Sequence, residues 1–191
     1  DREILVAGSV APLEDCYRPD LVPPDSDLNA EHLELASRLA ETGVDFILLE
    51  TMNTIREAYA ACNAAKATGK EVVVSFICND NGALLSGESL HDAVKAVAEL
   101  SPFAFSINCV SPHCIMRAVD ELKRATQLPF ALYGNVGLPE SNKHGWEFTH
   151  DVLENEYALS ALEWRRQGAS IIGGCCGTSP AYIRAVANSC R

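Results

Sequence analysis

Six times along the chain, a short run of apolar residues gives way to a stretch with helical spacing, and few folds accommodate that alternation. The runs lie at 3–9, 45–50, 72–76, 103–107, 130–133 and 170–172. They are continuously apolar rather than alternating, as in strands covered on both faces, and strands joined through helices run parallel. The helices carry their own punctuation. Asp27 is expected to cap the first, in which Leu28, Leu35, Ala36 and Leu39 keep helical spacing up to Gly43. Thr54 and Glu57 form a capping-box pattern before an alanine-rich helix closed by Gly69. Ser89, Ser111-Pro112 and Ser179-Pro180 open later ones. An α/β fold follows, a parallel sheet covered by helices.

Periodicity alone does not separate an open doubly wound sheet from a closed barrel. The polar residues favour the barrel. Glu50, Asn108-Cys109, Asn135 and Cys175-Cys176 each fall at the C-terminal end of a different strand. An open sheet collects its ligand at one crevice, whereas a barrel gathers such residues around one mouth. The loop from Pro12 to Pro24 is long for a compact domain, which marks it as functional.

The chemistry concentrates where strand 170–172 runs into Gly173, Gly174, Cys175, Cys176 and Gly177. Neighbours on a regular strand point to opposite faces, so two adjacent cysteines converge only where glycines let the backbone leave strand geometry. The helix opened by Ser179-Pro180 then turns its N-terminus toward the sulfurs, which favours thiolate. Strand 103–107 also ends on a sulfur, that of Cys109. Three thiols with one position left open match a catalytic zinc, since a structural zinc takes four ligands. The residues alone leave open a competing reading, redox chemistry by the vicinal pair, although the C-x-x-C spacing of dithiol oxidoreductases is missing. His113, four residues after Cys109, is expected on the surface at a helix start. Cys62 and Cys78 read as buried, inert thiols, and Cys16 and Cys190 as incidental.

Composition narrows the function. With 191 residues, 48% hydrophobic and 21% charged, the chain is one globular domain with a core. A net charge of −11 repels phosphate backbones and excludes nucleic acid as a partner. Neither a membrane-length apolar run nor a signal-peptide pattern is present, so a cytoplasmic location is expected. Eight irregularly spaced cysteines do not form a disulfide framework there.

Ser106-Ile107-Asn108-Cys109 together with Gly173-Gly174-Cys175-Cys176-Gly177-Thr178 resembles the zinc-dependent homocysteine S-methyltransferase family. That family includes betaine- and S-methylmethionine-dependent enzymes and the homocysteine module of cobalamin-dependent methionine synthase. The resemblance spans nearly the whole chain and implies a (β/α)8 TIM-type barrel, here truncated to about its last six β/α units. Residues 1–191 would then be a single homocysteine-binding barrel domain without its two N-terminal strands, leaving open edges at 4–6 and 170–172 through which copies self-associate. It further implies Zn²⁺ on Cys109, Cys175 and Cys176, with no catalytic residue beyond the metal site. Glu50 would bind the substrate amino group. Asn135, in Tyr133-Gly134-Asn135-Val136-Gly137, would either fill the fourth metal position or cap the turn. The implied partners are homocysteine and a small methyl donor such as S-methylmethionine, with methionine as product. Trp146 and Phe148 would form part of a donor cage or simply pack. The alternatives are a non-catalytic zinc-binding barrel fragment and the homocysteine module of a larger cobalamin- or folate-dependent methionine synthase.

Overall fold

The computed structural model describes the backbone of residues 4–137, 139–142, 145–148 and 151–190, and the side chains of 4–137 and 151–190. Six parallel strands form one sheet: β1 (Ala7–Val10), β2 (Phe46–Met52), β3 (Glu71–Phe76), β4 (Ala104–Asn108), β5 (Phe130–Gly134) and, after an antiparallel hairpin of β6 (Pro139–Asn142) and β7 (Gly145–Phe148), β8 (Ile171–Gly174). Their spatial order is β1-β2-β3-β4-β5-β8. Consecutive strands are joined through α1 (Asp25–Glu41), α2 (Ile55–Ala67), α3 (Leu90–Ala98), α4 (Pro112–Ala125) and α5 (Glu154–Arg166), and α6 (Pro180–Ser189) follows β8. The sheet curls into a half-barrel. No pairing joins β1 to β8 among the described residues, so these strands are its two edges.

Each strand divides its side chains between two environments. Ile47, Leu49, Val72, Val74, Phe105 and Ile107 are fully buried in the hydrophobic core with residues of the helices. Phe46, Leu48, Val73, Ala131, Tyr133 and Ile171 line the concave face, a groove of about 690 Å³. Helices bury one face and the concave face is itself lined by apolar side chains, so the runs are apolar on both faces. The concave face ends, at the C-terminal edge of the strands, on the polar residues that make the mouth.

The expected caps at Thr54, Ser89, Ser111 and Ser179 all form, each side chain accepting a hydrogen bond from a first-turn N–H. Three local expectations fail. Helix α1 starts at Asp25 with Pro24 as N-cap, so Asp27 stands in the first turn, where its charge faces the helix dipole. The first strand covers only Ala7–Val10 because its partner begins at Phe46, opposite Ala7, and residues before it have no facing strand. The capping box at Thr54 closes on one side only, because the Glu57 carboxylate is drawn into the interior, to the Leu13 N–H and to His32. The irregular segment after β5 contains the β6–β7 hairpin, and the side chains of Trp146 and Phe148 lie outside the described residues.

Candidate metal centre

Two strand ends deliver the three sulfurs, each through a backbone departure that the sequence makes possible. At the end of β4, Cys109 adopts φ 59°, a left-handed conformation that costs energy for a residue with a Cβ. Two residues on, Ser111 caps α4 by accepting from the Cys114 N–H. At the end of β8 the chain turns back on itself, with Thr178 N–H and hydroxyl both donating to the Cys175 carbonyl at 3.2 and 2.6 Å. Gly174 leaves room for that turn, because a Cβ there would stand 2.5 Å from Thr178 Oγ1. Gly177 supplies the required φ of 78°.

The result is a compact triad. Cys109 Sγ lies 3.7 Å from Cys176 Sγ, Cys175 Sγ lies 4.0 Å from Cys176 Sγ, and all three sulfurs fall within 4.8 Å of one another. A tetrahedral ion with metal–sulfur bonds of about 2.3 Å needs its sulfurs about 3.8 Å apart. The thiols are therefore spaced as metal ligands, and all are free of disulfides. Hydrogen bonds from Cys175 and Cys176 hold the Cys109 thiol down at about 3. The reciprocal hydrogen bond to Cys109 pushes Cys176 up to about 11, and Cys175 moves upward for the same reason. Thiols this close compete for the same protons, and a bound cation would displace them.

Two buried amides support the triad. Asn108 Oδ1 accepts from Ser75 Oγ at 2.6 Å and Thr51 N–H at 3.0 Å, while its Nδ2 faces Cys175 Sγ at 3.9 Å. It thereby ties the ends of β2, β3, β4 and β8 together. Thr51 itself sits at φ 59°, beside a register shift in β2. Asn135 Nδ2 donates to the Cys109 carbonyl at 3.0 Å and its Oδ1 accepts from Cys176 N–H at 3.2 Å. This amide bridges the two cysteine-bearing loops, and its oxygen is engaged with backbone.

Glu50, at the same mouth, accepts from Ser9 Oγ at 2.5 Å and Tyr133 OH at 3.3 Å. A cleft of about 510 Å³ unites it with Cys109, Cys175, Cys176, Ser9 and Tyr17. The structure therefore brings Glu50 and the three cysteines around one cavity, with Asn135 beneath it. Tyr17, whose OH lies 3.5 Å from Cys109 Sγ, and Cys16, which lines the cleft, come from the long loop. Neither carried a spacing signal, and only the length of the loop pointed to it. His113 is exposed and bonds Arg117, away from the sulfurs. Cys62 and Cys78 are buried, and burial raises both thiols.

Comparison with known proteins agrees with this geometry. A sequence model of homocysteine S-methyltransferase matches residues 1–190. Homocysteine S-methyltransferase 4 of Zea mays is 32% identical over 173 residues, 86% of this chain and 50% of that protein. Homocysteine S-methyltransferase 3 of Arabidopsis thaliana is 30% identical, over 97% of this chain and 57% of that protein. Among solved structures, the oxidized form of the homocysteine methyltransferase MmuM from Escherichia coli superposes with a TM-score of 0.82 at 29% identity, covering 97% of this chain and 61% of that one. Its metallated form gives 0.79, again at 29% identity, over 96% and 60%. The chain spans between half and three fifths of the length of these curated relatives. It belongs to the homocysteine S-methyltransferase family.

Proposed function

We propose that this protein binds Zn²⁺ through Cys109, Cys175 and Cys176 and transfers a methyl group to the thiol of homocysteine, giving methionine. When bound, zinc lowers the acceptor thiol's pKa so that it reacts as thiolate at neutral pH. The protein's residues do the rest. Three thiolates outweigh the ion's double charge, so a fourth sulfur joining them stays electron-rich and nucleophilic. Glu50 takes the ammonium group of the amino acid, oriented by Ser9 and Tyr133. Asn108 and Asn135 hold the sulfurs in place through the bonds described above. Displacement at a methyl carbon needs alignment of donor and acceptor more than proton transfer, and the mouth offers ligands and a carboxylate rather than an acid–base pair.

The observation that carries this reading is the spacing of the three sulfurs in one cleft with Glu50. A small sulfonium donor such as S-methylmethionine suits an acidic chain with a net charge of −11. Eight free cysteines suit the reducing cytoplasm, and no helix among the described residues is long and apolar enough to cross a membrane. The unpaired edges β1 and β8 are the surfaces through which copies self-associate.

The test is methionine formation from homocysteine with a panel of donors, run on the zinc-loaded chain and on a version extended by the first two strands of a relative. Formation of methionine from a sulfonium donor is expected with the extended version at least. Absence of transfer from every donor in both, with zinc and homocysteine bound, would establish a non-catalytic binding domain instead.

A further inference from the structure

The loop 11–24 sends Ala11, Asp15, Cys16 and Tyr17 to the cleft at the mouth, and the reaction proposed above makes no use of them. Their fastening is unusual. Glu57 Oε1 accepts from Leu13 N–H at 2.8 Å, and Asn53 Nδ2 donates to the Cys16 carbonyl at 3.0 Å. Arg56 donates to the carbonyls of Pro23 and Val22 at 2.7 and 3.1 Å and pairs with Asp25 at 2.8 Å. All three side chains come from the junction of β2 and α2. Glu57 and Asn53 are wholly buried, with His32 Nε2 as a second partner of Glu57 at 3.2 Å. Among the described residues, Glu57 Oε2 and Asn53 Oδ1 are buried without a hydrogen-bond partner. Burying polar atoms unpaired is costly, so fastening a surface loop in this way makes sense only if the position of the loop matters.

What the loop positions is Tyr17. Asp15 shapes a tight turn, its carboxylate accepting from Tyr17 N–H at 2.9 Å and its carbonyl from Arg18 N–H at 2.8 Å. The clamped Leu13 and Cys16 precede the tyrosine, and its OH comes to rest 3.5 Å from Cys109 Sγ. Tyr17 also lines both cavities that reach Cys109, the cleft of Glu50 and a smaller one of about 180 Å³ beside Cys78, Asp80 and Asn135. A sulfur that ligates a metal has no proton to give, so the phenol is the donor in this contact.

We propose that Tyr17 is a positioning residue of the metal centre: its hydroxyl donates to the Cys109 sulfur, and the clamp formed by Asn53 and Glu57 holds it there. A hydrogen bond to one ligand fixes the orientation of that sulfur and draws off part of its electron density. Such outer partners govern both metal affinity and the reactivity of the ligand set. The inference rests on the metal-binding reading above.

The test compares Tyr17→Phe with the unmodified chain by chelator competition for zinc, by the thiolate-to-metal charge-transfer band of the cobalt(II) form, and by melting without metal. Both proteins are expected to bind one ion through three sulfurs, with affinity about ten-fold or more weaker in the variant. The variant's charge-transfer band shifts, while melting of the metal-free form stays unchanged. Asn53→Ala, which keeps the hydroxyl but frees the Cys16 carbonyl, should reproduce part of the affinity loss. Zinc affinity within about two-fold of the original and an unmoved cobalt band in Tyr17→Phe would overturn the inference. So would an affinity loss matched by an equal loss of metal-free stability, because Tyr17 would then be only a packing residue. An unmodified chain that binds no metal defeats the proposed function itself, and that outcome is read from the control alone.

Discussion

Glu50 lies near the C-terminal end of β2 (Phe46–Met52), after four apolar residues, and its carboxylate accepts at the mouth from the hydroxyls of Ser9 and Tyr133. Under the proposed function this carboxylate takes the ammonium group of the substrate. Glu50→Gln should weaken homocysteine binding by about 1.5–3 kcal/mol, roughly ten- to a hundred-fold, while zinc content and melting temperature hold. Calorimetric titration checks this, and unaltered binding contradicts it. Gly174→Ala is the complementary case. Its added Cβ would strike Thr178, so the turn carrying Cys175 and Cys176 must open. Metal analysis should find zinc largely lost from that variant. These residues were legible in the sequence because strand ends and paired cysteines have a register. Tyr17, Cys16 and Ser9 were not, because residues in a loop or at a strand end opposite it follow no period. The sequence left two roles for Asn135, and its side chain joins the loops that carry Cys109 and Cys176.

At the scale of elements, caps and strands set the positions of the ligands. Ser111 ends the turn that follows Cys109, so Ser111→Ala should cost about 1 kcal/mol of stability by thermal unfolding. Asn108 matters more, since Asn108→Ala strands the Ser75 hydroxyl and the Thr51 N–H in a fully buried site. A loss of about 2 kcal/mol or more is expected in denaturant unfolding, together with weaker metal binding. A stability change below about 0.5 kcal/mol would show that this amide does not join the strand ends. Four caps were readable because Ser and Thr bond locally to the first turn. The start of α1, the length of β1 and the second half of the capping box were not. The start of α1 is set locally, by the Pro24 carbonyl that takes the first-turn N–H groups, whereas the other two are decided by distant partners: the start of β2 and the buried cluster around His32.

For the molecule as a whole, the apolar runs specified a parallel sheet, but its curvature was legible only through the polar strand ends that converge on one mouth. The sheet ends in two unpaired strands, and near them Ile4, Leu5 and Val6 are 84%, 58% and 58% exposed and Ile171 is 50% exposed. Unpaired edges with apolar side chains recruit further strands. Sedimentation should show concentration-dependent association that Ile171→Lys weakens, whereas a monomer at every concentration would contradict this. Whether the three strand-end sulfurs form one zinc site is decided by metal analysis with X-ray absorption of the purified chain. One zinc per chain bound by three protein sulfurs at about 2.3 Å is expected, abolished in Cys175→Ser/Cys176→Ser. Full zinc retained in that double variant, or zinc held without sulfur in the unmodified chain, would contradict it.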